Sequence, residues 1–207
     1  MTALVDDRSF PGAFCQGRLR GSATESDEVL MRRYQHGDDH AFRQLYERHR
    51  SPLLRFVRKL SPDNVDNEEI AQETWMAVIQ GRERYHPQAR FVTYLFSIAR
   101  RRTMDRWRRL GRTPPLESGA EELEQQSAPA ALEPEFHAAA IALRADLMAA
   151  VESLPITQRE AFLLRAEGSL TLEEIGEVTG TSRETAKSRL RYALNRLRIM
   201  LEPWHER

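Results

Sequence analysis

The sequence predicts an all-α fold: two small helical domains joined by a flexible acidic linker, the second containing a helix-turn-helix. Three observations lead there. Apolar residues recur at three- and four-residue steps within residues 26–112 and again within 140–207, and no segment alternates as a half-buried strand would. Residues 113–139 hold Pro114, Pro115, Pro129 and Pro134 among Glu, Ser and Ala, a composition that disfavours a packed core. Near the C-terminus, Gly180-Thr181 separates two capped helical patterns.

Residues 1–25 show no periodicity and contain Gly12, Gly17 and Gly21, so they read as a flexible N-terminal tail. A helix is expected from Ser26, with Val29, Leu30 and Tyr34 on one side. His36-Gly37-Asp38 breaks it, and Asp38 is placed to cap the next helix. There Ala41, Phe42, Leu45, Tyr46, His49, Leu53 and Leu54 form the apolar stripe, and Pro52 is expected to kink or split it. A third helix over 67–80 turns Ile70, Ala71, Thr74, Val78 and Ile79 inward. After a loop over 81–89, a fourth helix from about Arg90 presents Phe91, Leu95, Ile98 and Ala99 to a core. Beyond the linker a helix is expected over about 140–152. Thr157 with Glu160, and Thr171 with Glu174, have the spacing of capping boxes, and Gly168 should end the helix between them. Leu172, Ile175 and Val178 share a face. Ser182 then caps a long last helix with Ala186, Leu190, Ala193, Leu194 and Leu197 buried.

Composition excludes several classes. With 41% hydrophobic and 30% charged residues in 207, the chain suits small soluble cores. No apolar run approaches the roughly 20 residues of a membrane span, so no stable membrane insertion is expected. No secretory signal is visible, and the single cysteine, Cys15, excludes an internal disulfide. A cytoplasmic protein is expected. His36 and His40 are four apart, with His49 further on, but no carboxylate or cysteine set completes a metal site. No cofactor motif is present.

Equal numbers of basic and acidic residues, 31 each, conceal strong segregation. Residues 61–80 carry five acidic and no basic residues, and residues 81–112 carry ten basic and two acidic. Residues 113–140 carry six acidic and no basic, and 183–198 carry six basic and one acidic. Regions so charged are expected to meet different partners. From Arg100 to Arg112 there are seven arginines with one acidic neighbour, Asp105. The helix dipole gives each terminal cation only about 0.3–1 kcal/mol, whereas phosphate contact relieves the repulsion of all of them. Of the nearby aromatics, Tyr85 in the loop is expected to be exposed and able to stack on a base, and Phe91 to be core. On the last helix Arg183, Glu184, Lys187, Ser188, Arg191, Asn195 and Arg198 lie opposite the apolar stripe, as a DNA-recognition helix requires.

Four stretches occur in order: DDHAFRQLYERHRSPLLRFVRKL, EEIAQETWMAVI, FVTYLFSIARRRTMDRWRR and LPITQREAFLLRAEGSLTLEEIGEVTGTSRETAKSRLRYALNRLR. Together they resemble bacterial RNA polymerase sigma factors of the extracytoplasmic-function (ECF) class. The resemblance implies that residues 26–112 correspond to sigma region 2 and 140–207 to region 4. It implies that Glu69, Gln72 and Glu73 dock on core RNA polymerase. It implies contacts to the −10 element from Arg84, Tyr85, Arg90, Tyr94, Arg101, Arg102, Arg106, Arg108 and Arg109, including capture of an extruded base. It implies contacts to the −35 element from Arg183, Glu184, Thr185, Lys187, Ser188 and Arg191. The acidic linker resembles the segment that threads the polymerase's basic channel. An anti-sigma factor is a further implied partner, and the function implied is promoter recognition and opening, with no catalytic residues. Where the family often reads I-A-x-N, this chain has Ile98-Ala99-Arg100-Arg101, so Arg101 either reads a different base or holds phosphate. Two other readings compete. A stand-alone helix-turn-helix regulator would need an effector pocket in the first domain. A nucleic-acid enzyme would need a metal-binding carboxylate set beside the basic helix.

Overall fold

Ser26 starts the first helix by accepting the Val29 N–H, and the chain then folds as helices joined by short turns. The structure is a computed structural model that describes residues 25–61, 66–86, 89–111 and 136–204, the side chains of 136–141 and of 203 excepted. The N-terminal bundle comprises α1 (Asp27–Gln35), α2 (Asp39–Leu60), α3 (Asn67–Gln80), a short 3-10 turn (Arg82–Arg84) and α4 (Phe91–Arg109). The C-terminal bundle comprises α5 (Phe136–Glu152), α6 (Ile156–Gly168), α7 (Leu172–Thr179), α8 (Arg183–Met200) and a closing 3-10 turn (Glu202–Trp204). No strand occurs among the described residues. Residues 1–24, Cys15 among them, Arg112 and residues 113–135 of the expected linker lie outside the described set.

The expected caps hold where they are local. Asp38 accepts from the His40 and Ala41 N–H groups, and Ser182 from Thr185. Thr171 and Glu174 form a reciprocal capping box. Gly180 takes φ +71° at the turn before α8, where an L side chain would be strained. Gly176 allows α7 to approach that turn, since a Cβ there would stand 2.8 Å from the Thr181 carbonyl oxygen.

Several expectations are corrected. Pro52 neither splits nor ends α2, which runs 22 residues; Leu53, Phe56, Val57 and Leu60 are fully buried just after it, and packing outweighs one missing ladder bond. α5 starts at Phe136, a turn before the expected 140. Gly168 is the last residue of α6, but the left-handed conformation falls on Ser169, at φ +52°. A Cβ at 168 would press on the tip of the Leu170 side chain and lie in contact with the Phe96 ring. Thr157 and Glu160 form no capping box: α6 begins at Ile156 after Pro155, and the Glu160 side chain turns toward the other bundle. Tyr46 is more exposed than the stripe implied, at 38%, and Ile79 and Leu194 are only half-buried.

The core of the N-terminal bundle is built on Leu30, Met31, Leu45, Phe56, Phe91 and Phe96, all fully buried. Each contributes on the order of 1.5–3 kcal/mol by leaving water. Phe56 and Phe96 meet edge to face with centroids 5.1 Å apart. The C-terminal bundle buries Leu163, Leu164, Ile175, Ala186 and Ala193. The two bundles pack on each other, α6 against α2 and α6 and α7 against α4.

Candidate nucleic-acid interface

The arginines of α4 point in three directions, as their spacing dictates. Tyr94, Arg101 and Arg108 are seven apart and share one stripe. Arg102, Arg106 and Arg109 form a second stripe that faces α3. Arg100 points toward the C-terminal bundle. The first stripe is turned away from both α3 and the C-terminal bundle. Arg101 is exposed and makes no ion pair among the described residues, while Arg108 pairs with Asp105 at 2.6 Å on the surface. Tyr94 is half-buried. Burial pushes its hydroxyl pKa up, and the nearby Arg101 and Arg84 guanidinium groups oppose that rise. The fold therefore gathers Arg84, Tyr94 and Arg101 into one patch.

Tyr85 does not join it as an exposed aromatic. It is 5% exposed, with its ring against Phe91 and Tyr94. Its buried hydroxyl has no hydrogen-bond partner among the described residues. Burial, with the negative charges of Glu28 and Asp27, pushes its pKa up to about 12. The loop ring turns inward because α1 and α4 leave an apolar slot beneath it, a contact that sequence spacing does not reveal. Trp107, inside the arginine run, is also core and donates to Ser61 Oγ at 2.7 Å.

Two arginines of the second stripe are paired within the bundle, while Arg109 is exposed. Arg106 pairs with Asp66 and, at 3.7 Å, with Glu69, and Arg102 pairs with Glu73 at 3.5 Å. Asp105 was thus not the only acidic partner in reach. Of the expected polymerase-docking residues, Glu69 and Gln72 are exposed on α3, and Glu73 is half-buried beside Arg102.

A set of ion pairs unforeseen in the sequence joins the bundles. Glu160, 3% exposed, accepts from Arg100 Nε at 2.6 Å. Its burial raises its pKa, and Arg100 only partly offsets the effect. Glu167 takes Arg55 Nε at 2.7 Å and Lys59 Nζ at 2.8 Å. Glu174 accepts from Thr93 Oγ1 at 2.8 Å and pairs with Arg90 at 3.2 Å. Partial burial would raise the Glu174 pKa. The Thr171 N–H, the Thr93 hydroxyl and Arg90 outweigh it, so the net shift is downward. The capping carboxylate of α7 thus also holds the start of α4.

On α8, Arg183, Glu184, Lys187 and Arg191 are exposed, and Thr185 and Ser188 half-buried, on the side away from the buried Ala186, Leu190, Ala193 and Leu197. Arg183 pairs with Glu173 and with Glu184, Lys187 pairs with Glu184 at 3.6 Å, and the Arg191 guanidinium lies over Tyr192. These partners are surface groups on the same bundle, and such pairs are typically worth about 0–1 kcal/mol. Among the described residues no group of His, Cys, Asp or Glu has the arrangement of a metal site.

A helix-turn-helix with a basic outer face, carried beside a second helical bundle that presents its own basic helix, defines the class of protein by its architecture. Residues 45–113 match the family model Sigma-70 region 2, and residues 144–197 match Sigma-70, region 4; together they cover more than half of the chain. The RNA polymerase sigma factor CarQ of Myxococcus xanthus is 29% identical over 171 residues, 83% of this chain and 95% of that protein. The ECF RNA polymerase sigma-E factor of Escherichia coli (strain K12) is 29% identical over 170 residues, 80% of this chain and 88% of that one. In fold, the chain resembles CnrH in complex with the cytosolic domain of CnrY (TM-score 0.62, 22% identity, 86% of this chain and 99% of that one). It also resembles the sigma factor RpoE in complex with the anti-sigma factor NepR from Bartonella quintana (TM-score 0.59, 24% identity, 78% and 96%). The chain belongs to the RNA polymerase sigma factors of the ECF class.

Proposed function

We propose that the chain binds core RNA polymerase, recognises promoters through two separate elements and helps to open the DNA. The −10 element is met by the loop over 82–90 and the exposed stripe of α4, with Arg84, Tyr94 and Arg101 at its centre. The −35 element is met by α8 through Arg183, Glu184, Thr185, Lys187, Ser188 and Arg191. Glu69, Gln72 and Glu73 form the edge that docks on the polymerase. Residues 26–112 and 140–207 act as the two functional domains, with the acidic segment between them as the tether through the polymerase. The protein works by binding, with no catalytic step of its own, in the cytoplasm where the polymerase is found. Both solved relatives named above are held in complexes, one with an anti-sigma factor, and the same kind of partner is assigned here.

The observation that carries this reading is the pair of basic helices on two bundles, in the order of the two matched family segments. The helices need not be available together. Glu174 holds Arg90 and Thr93, and Glu160 holds Arg100, so promoter DNA and the C-terminal bundle compete for the start and one flank of α4. Contact of Arg90 with the −10 element therefore requires its pair with Glu174 to part, while Arg84 and Arg101 stay exposed.

Run-off transcription with purified core polymerase tests the function. Transcripts should depend on this protein and on both promoter elements. Absence of transcript, together with tight and specific binding of duplex DNA by the protein alone, would identify a stand-alone regulator instead.

A further inference from the structure

α1 lies before the segment matched by the region 2 family model, which starts at residue 45. Its polar contacts nonetheless concentrate on the −10 reader. The Gln35 side-chain nitrogen donates to the backbone carbonyls of Arg82 and Tyr85, each at 2.7 Å. An amide –NH2 has two hydrogens, so one side chain serves both acceptors. These carbonyls mark the first residue of the 3-10 turn and the residue that closes it. Next to Gln35, the Tyr34 ring lies under the Arg82 guanidinium, 5.5 Å from ring centroid to carbon.

At the other end of α1, Glu28 Oε1 accepts the Phe91 N–H at 3.0 Å. Phe91 is the first residue of α4, and Arg90 at its N-cap position supplies no side-chain cap. The first N–H groups of a helix lack internal partners, and a carboxylate suits both those donors and the helix dipole. α4 therefore takes its cap from another helix. α1 is itself fixed: Leu30 and Met31 are fully buried, and Asp27 is held by Arg48 at 2.8 Å and His49 at 2.7 Å.

We propose that Gln35 and Glu28 are positioning residues for −10 recognition, with α1 as the bed that holds both ends of the segment from Arg82 to Phe91. This rests on the reading of residues 82–109 as the −10 reader. Neither side chain needs to touch DNA. By fixing the backbone on either side of Tyr85, they present Arg84, Tyr94 and Arg101 in one arrangement before DNA arrives. A loop that must be ordered on binding forfeits affinity and, above all, the geometric tolerance on which base discrimination depends.

The test uses the full-length protein with core polymerase and a promoter library randomised over both elements, read by sequencing the transcripts. Gln35→Met keeps the side-chain volume but removes both donors. Glu28→Ala removes the cap, and Glu28→Gln keeps a carbonyl to accept the Phe91 N–H. Gln35→Met and Glu28→Ala should flatten base preference at the −10 element by about tenfold, the size expected for losing a hydrogen bond to a partner left unsatisfied. Preference at the −35 element should stay near that of the unmodified protein, the melting temperature should fall by only a few degrees, and Glu28→Gln should restore most of the −10 preference. Unchanged −10 preference in both disruptive variants would overturn the proposal. So would flattening at both elements in step with a fall in melting temperature. A −10 preference absent from the unmodified holoenzyme would remove the underlying reading, and the proposal with it.

Discussion

The two basic helices solve the same problem in opposite ways. α8 stands on the outside of its bundle, with a stripe of four small or aliphatic residues inward and Arg183, Lys187 and Arg191 outward, Arg183 and Lys187 held by surface pairs within the bundle. α4 is a core helix first: Phe91, Val92, Leu95, Phe96, Ile98 and Ala99 are buried, and its arginines leave in three directions. One set meets α3, one meets α6, and one remains exposed. Basic composition alone therefore measures the exposed cationic surface well for α8 and overstates it for α4. In the proposed −10 reader this arrangement projects the exposed side chains from a backbone anchored on several sides.

The comparison can be broken most forcefully at Glu160. Glu160→Lys places a cation against Arg100 in a buried site, and removing one partner of a buried pair alone costs on the order of 3–5 kcal/mol. The bundles should part, seen as a larger radius in small-angle scattering, while each bundle keeps its helix content by circular dichroism. An unchanged radius would show that the apolar contacts between the bundles hold without the ion pairs.

The next contrast lies between two tyrosines 5.3 Å apart. Tyr85→Ala opens a core cavity and should lower stability by about 3–5 kcal/mol in denaturant titration, as large aromatic truncations do. Tyr94→Ala should cost less stability and instead weaken promoter opening, by roughly the 1–3 kcal/mol of one base stack. Fluorescence of a base analogue in the −10 element separates the two. Equal effects of both variants on opening would return Tyr85 to the DNA surface.

Which of these features could be read in advance follows from sequence distance. Asp38, Thr171 with Glu174 and Ser182 act on backbone groups two or three residues away, so their roles were legible. The exposure of Arg183, Glu184, Lys187 and Arg191 on α8 was legible for the same reason: one helix's periodicity fixes which face is wet. Tyr85 looked exposed because loops lie at surfaces. The ring that fills the slot beside Phe91 is determined by the meeting of α1 and α4. Glu160 looked like a cap three residues after Thr157, and its true partner, Arg100, is 60 residues away. Glu28 and Gln35 raised no signal at all, since single polar residues on an amphipathic helix read as solvated surface.

Acid provides a smaller effect with a defined sign. The Glu174 pKa lies below its ordinary 4.5, so the folded protein binds that proton less readily than the unfolded chain does. The stabilisation by Glu174 is present above about pH 4.5 and is lost as pH falls through the lowered value. Glu160 has the opposite sign: its raised pKa means that folding takes up its proton, and its contribution declines as pH rises through that value. Stability to denaturant should therefore fall as pH drops below the ordinary 4.5, and by less in Glu174→Gln than in the unmodified protein. An equal fall in both would mean that Glu174 does not titrate below its ordinary value.

The division of labour itself is tested most directly by two single variants in the same transcription assay. Holoenzymes carrying Arg101→Ala and Arg191→Ala are each given a promoter library randomised over both elements. A lost contact to a base or phosphate should cost on the order of 1–3 kcal/mol in either case. Arg101→Ala should alter base preference at the −10 element alone, and Arg191→Ala should affect the −35 element alone. Uniform weakening at −10 would make Arg101 a phosphate contact and leave the division intact. A shift of preference at the same element by both variants would contradict it.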